Sequence, residues 1–446
     1  MTDSSDLFPE TQLRETVASA LDRAKRSGVD AAEVVVSMES GFSVTARSGD
    51  VETLEHQQEK ACAITVYNDQ RCGTASTTDL SPEAVSATLD KACAFAQYAE
   101  EDPHMGLADP DLLSHNYPDL ELFHHWKLTP TDAIDMAIHC EEIALSQSEK
   151  ITRSEGASVS NYDAFRVYGN SHGFIGAYPL SHHSIGCGVI AESKDDMQRD
   201  YEYTSARSYK DLDDTVLVAK RSAEKTLLKL GAKKIPTGRY PVIFHAPVAK
   251  SLLRSFIAAI SGGNLYRKTS FLQDHMGKAI FPEFIHIHQQ PHLLRGMGSA
   301  PFDSEGVKTQ DRDYIKDGLL TSYVLGSYSA RKLDLQTTGN AGGVYNLFVS
   351  HSNNNLKKLF EEMGTGLFVT ELIGQGVNIV TGNYSRGAVG FWIENGEMQH
   401  AVHEVTIAGN LKDMFKNIVA IANDIDHRGN VHTGSIWLHE MTVAGL

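Results

Sequence analysis

Residues 169–173 read GNSHG and fit the G-x-S-x-G pattern of a hydrolase nucleophile. That chemistry needs a sharp turn from strand into helix, which lifts the serine above a parallel sheet. Here FRVY precedes the motif and FIGAYPL follows it, so the context is strand–turn–strand and Ser171 reads as a hairpin-turn residue. Metal chemistry is the next candidate. His403-Glu404 and His439-Glu440 lack a second histidine at HExxH spacing, and both lie in strand-like runs where the helical i,i+4 geometry fails. His286, His288 and His292 share the stretch FIHIHQQPH. The first two would project from one face of a strand. No cysteine or carboxylate accompanies them at ligand spacing, so surface or packing histidines are the expectation. His124-His125 and His182-His183 are sequence neighbours, which point opposite ways on extended backbone. GxxxxGK[ST] is absent, and GQGVNIVTG lacks GxGxxG spacing, so phosphate-loop chemistry has no support. Ser385 and Arg386, in the YSRGA segment read as a turn, are the polar pair to watch for substrate or partner binding. An arginine in a glycine-rich loop can hold a carboxylate bidentately; a local turn contact is an equal alternative.

The elements that would position these residues follow from periodicity. Leu13, Val17, Leu21 and Ala24 fall at helical spacing over 10–27, with Gly28 as the stop. Four strand-like runs follow: AEVVVSM, FSVTAR, VETLEH and CAITVYN. Ser81-Pro82-Glu83 opens a second helix as N-cap and first-turn proline. Residues 100–128 read as a connecting loop. Thr129-Pro130-Thr131-Asp132 opens another helix, strand-like runs fill 151–206, and a helix over about 211–230 closes at Gly231. Helix, strand meander, helix thus occurs twice. GAKKIPTGRY (231–240) reads as a linker, then the strand YPVIF and a helix over about 246–261 ending at Gly262-Gly263. Beyond lie short strands, a short helix at 355–362 and hairpin signals at Asp317-Gly318 and Asn395-Gly396, which suit turns at positive φ. The expected class is α+β: an N-terminal α/β region of antiparallel strand meanders flanked by helices, and a C-terminal β-rich sandwich or barrel-like domain. The expected units are 1–120, 121–232 (reading as a repeat of the first) and 233–446.

The chain has 446 residues and a net charge of −17. Such a balance repels phosphate backbones and anionic membranes, so neither nucleic acid nor membrane is an expected partner. The five cysteines have no CxxC spacing, and buried reduced thiols in a cytoplasmic protein are the reading. MTDSSDLFPETQ carries neither the basic nor the apolar region of a signal peptide.

Residues 364–413 carry a more specific signal: glycines recur between the short apolar runs LFVTEL, AVGFWI and EVTIAG. This wording, with FDSEGVKTQDRDYIKDGLLTSYVLGSYSARKL (302–333), TGNAGG (338–343), GNSHG and TSFLQD (269–274), resembles the PmbA/TldE proteins, one half of the TldD/TldE metallopeptidase family, in order and spacing from about Ala31 onward. An older family name is modulator of DNA gyrase. The resemblance implies an α/β N-terminal region, a β-rich C-terminal domain and proteolysis of unfolded peptides, including peptide-antibiotic precursors and small unstable proteins.

Catalytic TldD-type subunits carry HExxxH on the helix opening the C-terminal domain and a cysteine ligand near the C-terminus. The matching helix here reads His245-Ala246-Pro247-Val248-Ala249-Lys250. His245 stands at the first ligand position, Ala246 at that of the general base and Lys250 at the second histidine; Thr433 lies where the cysteine would be. A catalytic zinc normally takes three protein ligands plus water. The resemblance therefore implies no catalytic residue and no cofactor in this chain, with zinc held by a TldD-type subunit in a heterodimer. Peptide would bind by strand addition in a shared chamber. Two rivals are a self-sufficient metallopeptidase with an atypical site using His245, and a non-enzymatic peptide-binding or regulatory homodimer.

Overall fold

The structure is a computed structural model that describes residues 7–445. Helix α1 (Glu10–Arg26) buries Leu13, Val17, Leu21 and Ala24 and stops at Gly28, whose φ is +80°. It leads into β1 (Ala31–Arg47), β2 (Asp50–Asn68), β3 (Arg71–Thr77) and α2 (Pro82–Tyr98). The same order repeats with α3 (Pro130–Ser146), β4 (Ile151–Asn170), β5 (Ile175–Ser193), β6 (Asp196–Ala206) and α4 (Thr215–Leu228). Caps act as the sequence signals demand: Ser81 and Thr129 accept hydrogen bonds from the N–H groups of Ala84 and Asp132. The strands form one antiparallel sheet, ordered β3-β2-β1-β4-β5-β6, in which β1 and β4 join the two α-β-β-β-α units. One core packs α1 and α2 on the sheet, a second packs α3 and α4.

Two readings of this half need correction. The four runs before α2 form only two long strands ahead of β3, and GFIGAYPL and SIGCGVIAE are both parts of β5. Gly41 explains the first case. It sits mid-strand in β1 opposite Tyr162, and a Cβ there would lie 2.3 Å from the Asn161 carbonyl oxygen. The glycine permits close strand approach and makes no turn. The cysteines are all free thiols, but Cys72 and Cys93 are only half-buried.

The C-terminal half runs β7 (Gly238–Phe244), α5 (Ala246–Ala259), α6 (Gly262–Tyr266), β8 (Ile287–Gln289), β9 (Arg312–Lys316), β10 (Leu319–Leu320), α7 (Ser327–Lys332), β11 (Leu347–Val349), α8 (Leu356–Met363), β12 (Gly366–Ile373), β13 (Asn383–Glu394), β14 (Glu397–Asn410), α9 (Leu411–Lys416), β15 (Ile418–Ile421), β16 (Val431–His432) and β17 (Ile436–Ala444). Gly262-Gly263 starts α6 where the sequence suggested only a stop, because a Cβ on Gly262 would meet Ser329 of α7 at 2.3 Å. β7, β12, β13, β14 and β17 close into a five-stranded barrel, since β17 pairs with both β7 and β14, and β15 extends it. β7 and β12 pair in parallel; the other contacts around the ring are antiparallel. Asn395 (φ 54°) and Gly396 (φ 78°) make the tight β13–β14 turn. A second sheet, β10-β9-β8-β11-β16, packs beside the barrel, and a shared core spans both. Among the described residues no helix is long and apolar enough to cross a membrane.

Candidate functional site

The chain leaves the barrel at Phe244, and His245 becomes the N-cap of α5. Its backbone is fixed at both ends: its N–H donates to the Val369 carbonyl at 2.9 Å, and its own carbonyl accepts from Ala249 at 2.8 Å. The ring caps nothing and packs edge-on against Phe368 at 5.4 Å between centroids. Burial pushes the imidazole down to about 4, so it is neutral at pH 7. The next N–H, of Ala246, donates to Ser435 Oγ at 3.1 Å, and that hydroxyl donates to Asp424 Oδ2 at 2.7 Å.

One turn along α5, Lys250 points inward and is almost fully buried. Its Nζ lies 3.0 Å from Asp426 Oδ2 and also donates to the Arg428 carbonyl. Arg428 Nε holds Asp426 Oδ1 at 2.9 Å, its other end reaches Glu202 on β6, and Lys225 of α4 sits 2.7 Å from Glu202. Lys250, Asp426, Arg428, Glu202 and Lys225 thus form one chain of alternating charge that ties the barrel to the N-terminal sheet. Burial alone would raise Asp426, but Arg428 and Lys250 outweigh it and hold the carboxyl at about 2. Burial lowers Lys250 against the pull of Asp426.

Zinc, which the family resemblance implies for a TldD-type site, does not fit these residues. Ala246 offers a methyl group and Lys250 an ammonium already committed to Asp426. The fully buried Thr433 hydroxyl donates to the Gly434 carbonyl at 3.1 Å. Among the described residues no three His, Cys, Asp or Glu side chains converge to hold a metal. His245 and Lys250 line one cleft of about 860 Å³ between α5, β6, α4, β12 and β13; Thr433 is not among its lining residues.

The other candidates are dispersed. Ser171 Oγ accepts from the Ala32 N–H at 3.1 Å in the β4–β5 turn. His403-Glu404 and His439-Glu440 lie on β14 and β17, with Glu404 and Glu440 paired to Lys234 and Arg239. His286 and His288 do share a face, with rings 5.0 Å apart, but β9 supplies a carboxylate the spacing did not announce: Asp313, 2.8 Å from His286. His292 bonds Thr309 at 3.0 Å. His125 meets Asp163 at 2.6 Å, while His182 bonds Ser205 and His183 the His124 carbonyl. Ser385 and Arg386 need correction: both belong to β13 and not to a turn. Strand alternation parts them. Arg386 lines the cleft, whereas Ser385 is exposed and donates its N–H to the Gly376 carbonyl at 2.7 Å. Asp426, Arg428 and Glu202 were missed, since nothing in their local spacing marks them.

Strand addition along the cleft meets an obstacle. β6 is the outermost strand of its sheet, and residues 200–203 line the cleft. The Tyr201 N–H already donates to Asp200 at 2.7 Å and the Tyr203 N–H to Glu202 at 2.9 Å. The carbonyls of Arg199 and Tyr203 accept from Lys229 and Arg428. Side chains have capped this edge, a known protection against pairing.

Buried imidazoles make stability depend on pH, and His183 and His432 join His245 in being held low. His183 and His432 are each pushed down to about 4, chiefly by burial, and neither ring nitrogen of His432 has a partner. The unfolded chain protonates near the ordinary value of about 6.5, so it takes up protons first as pH falls. Each group's contribution is complete above that value and is lost between it and about 4. The expected slope is about 1.4 kcal/mol per pH unit for each histidine in that window. Urea unfolding at pH 7 and pH 5 checks this, and His432→Gln should flatten the dependence. An unchanged slope in that variant would remove His432 from the account.

Family models match all three parts of the chain: PmbA/TldA metallopeptidase domain 1 over residues 32–96, the central domain over 123–230 and the C-terminal domain over 237–445. The chain belongs to the PmbA/TldD metallopeptidase family. Among its relatives is the metalloprotease PmbA of Escherichia coli O157:H7, 48% identical over 97% of this chain and 96% of that one. A PmbA homologue of Haemophilus influenzae is 46% identical over 98% and 97%. The crystal structure of a proposed modulator of DNA gyrase from Bacteroides thetaiotaomicron superposes with a TM-score of 0.92 at 28% identity, covering 97% of this chain and 98% of that one.

Proposed function

We propose that this chain is the zinc-free, PmbA/TldE-type subunit of a cytoplasmic metallopeptidase, paired with a TldD-type subunit that holds the metal. The observation that carries this reading is the Lys250–Asp426 pair at 3.0 Å: a charge-paired ammonium occupies the position that the family resemblance gives to a second zinc-binding histidine. An ammonium donates hydrogen bonds and offers no lone pair to a metal. The same observation weighs against a self-sufficient metallopeptidase built on His245. The subunit's part is then to shape the chamber that admits unfolded peptides, among them peptide-antibiotic precursors and small unstable proteins.

Co-expression with a TldD-type subunit tests this. The two should co-elute on size exclusion at micromolar concentration, and only the pair should cleave an unstructured peptide. His245→Ala should leave the pair's activity within a few-fold, because removing a true acid–base group costs roughly 10²-fold or more. Non-interacting species, or collapse of activity in a folded and paired His245→Ala, would count against the proposal.

A further inference from the structure

The cleft holds an uneven charge balance. Its four carboxylates are all committed. Glu202 is shared by Lys225 and Arg428, and Asp426 by Lys250 and Arg428. Asp200 and Glu371 both pair with Lys229, at 3.0 and 2.7 Å. Four carboxylates meet four cations. Two further guanidiniums line the same cleft, Arg254 of α5 and Arg386 of β13. Among the described residues neither has a carboxylate within ion-pair distance. Arg386 is half-buried, and its Nε is shut off from solvent with no hydrogen-bond partner. A chain of net charge −17 therefore keeps two unbalanced positive groups in this cleft, beside the apolar side chains of Phe368, Leu372, Val377 and Ile379. The capped edge of β6 leaves little main chain there to grip a peptide backbone.

We infer that the cleft holds its peptide by a carboxylate, clasped by Arg254 and Arg386 while the neighbouring residues pack on the apolar wall. The inference rests on the peptide-handling role proposed above. A guanidinium presents planar paired donors that match a carboxylate, and partial desolvation strengthens that bond. The carboxylate is supplied either by the peptide C-terminus or by an Asp or Glu side chain.

Fluorescence anisotropy on the full chain separates the cases, using an N-terminally labelled unstructured decapeptide with apolar residues near its end. Three forms are compared: free acid, C-terminal amide, and amide ending in Glu. The free acid or the Glu-terminated form should bind at least about tenfold more tightly than the plain amide, and whichever does names the source of the carboxylate. Arg254→Gln and Arg386→Gln should each close most of that gap, with circular dichroism unchanged. Arg254 is exposed, so its variant should fold even if that of Arg386 does not. Equal binding of all three forms would overturn the carboxylate clasp and leave peptide handling standing. Survival of the gap in both variants would also overturn it. Absence of binding by every form at about 100 μM would overturn the clasp and the peptide-handling reading together.

Discussion

Asp426→Asn is expected to destabilise the chain by roughly 3–5 kcal/mol, the usual cost of stripping one partner from a buried ion pair. The carboxylate is held at about 2 and touches both Lys250 and Arg428. Its neutral replacement leaves the Lys250 ammonium, 4% exposed, with only a backbone carbonyl. Arg428 still has Glu202, so the damage centres on α5. Lys250→Met in the same background should recover much of the loss, because an apolar chain of similar length tolerates burial where a lone charge does not. Urea unfolding of the four members of this cycle measures the coupling. A loss below about 1 kcal/mol for Asp426→Asn would mean that the pair behaves like an exposed one.

Gly434→Ala should also destabilise the chain. An added Cβ would stand 1.8 Å from the Ala422 carbonyl oxygen and 3.1 Å from Asp424 Oδ1. The first contact is backbone in a fully buried stretch, so no side-chain rotation relieves it. Overpacking of this kind costs roughly 1–3 kcal/mol and sometimes more. Here the displaced atoms also carry the Ser435–Asp424 bonds that tie the start of α5. The expected result is a lower thermal midpoint. A variant as stable as the parent would mean that the 422–435 segment can shift freely.

Local rules made much of this fold legible. The stripe of Leu13, Val17 and Leu21, the caps at Ser81 and Thr129 and the Asn395-Gly396 turn each concern residues a few positions apart, and all are found as read. Glycine was the main source of error. Gly41 and Gly262 look like punctuation in the sequence, yet each permits a close approach from a distant segment. The YSRGA stretch misled in the same way, since its one glycine, Gly387, sits inside β13. The family wording placed His245, Ala246, Lys250 and Thr433, but not what surrounds them. The charge chain draws Glu202 from β6, Lys225 from α4, Lys250 from α5 and the pair Asp426 and Arg428 from one loop, so spacing carries little trace of it.

If this member of a metallopeptidase family leaves the metal to another subunit, it should purify without zinc, which elemental analysis of the chain after dialysis into metal-free buffer measures. Far less than one zinc per chain is expected, with zinc appearing in the TldD-type subunit of the reconstituted pair. One tightly held zinc per chain in the isolated protein would contradict it.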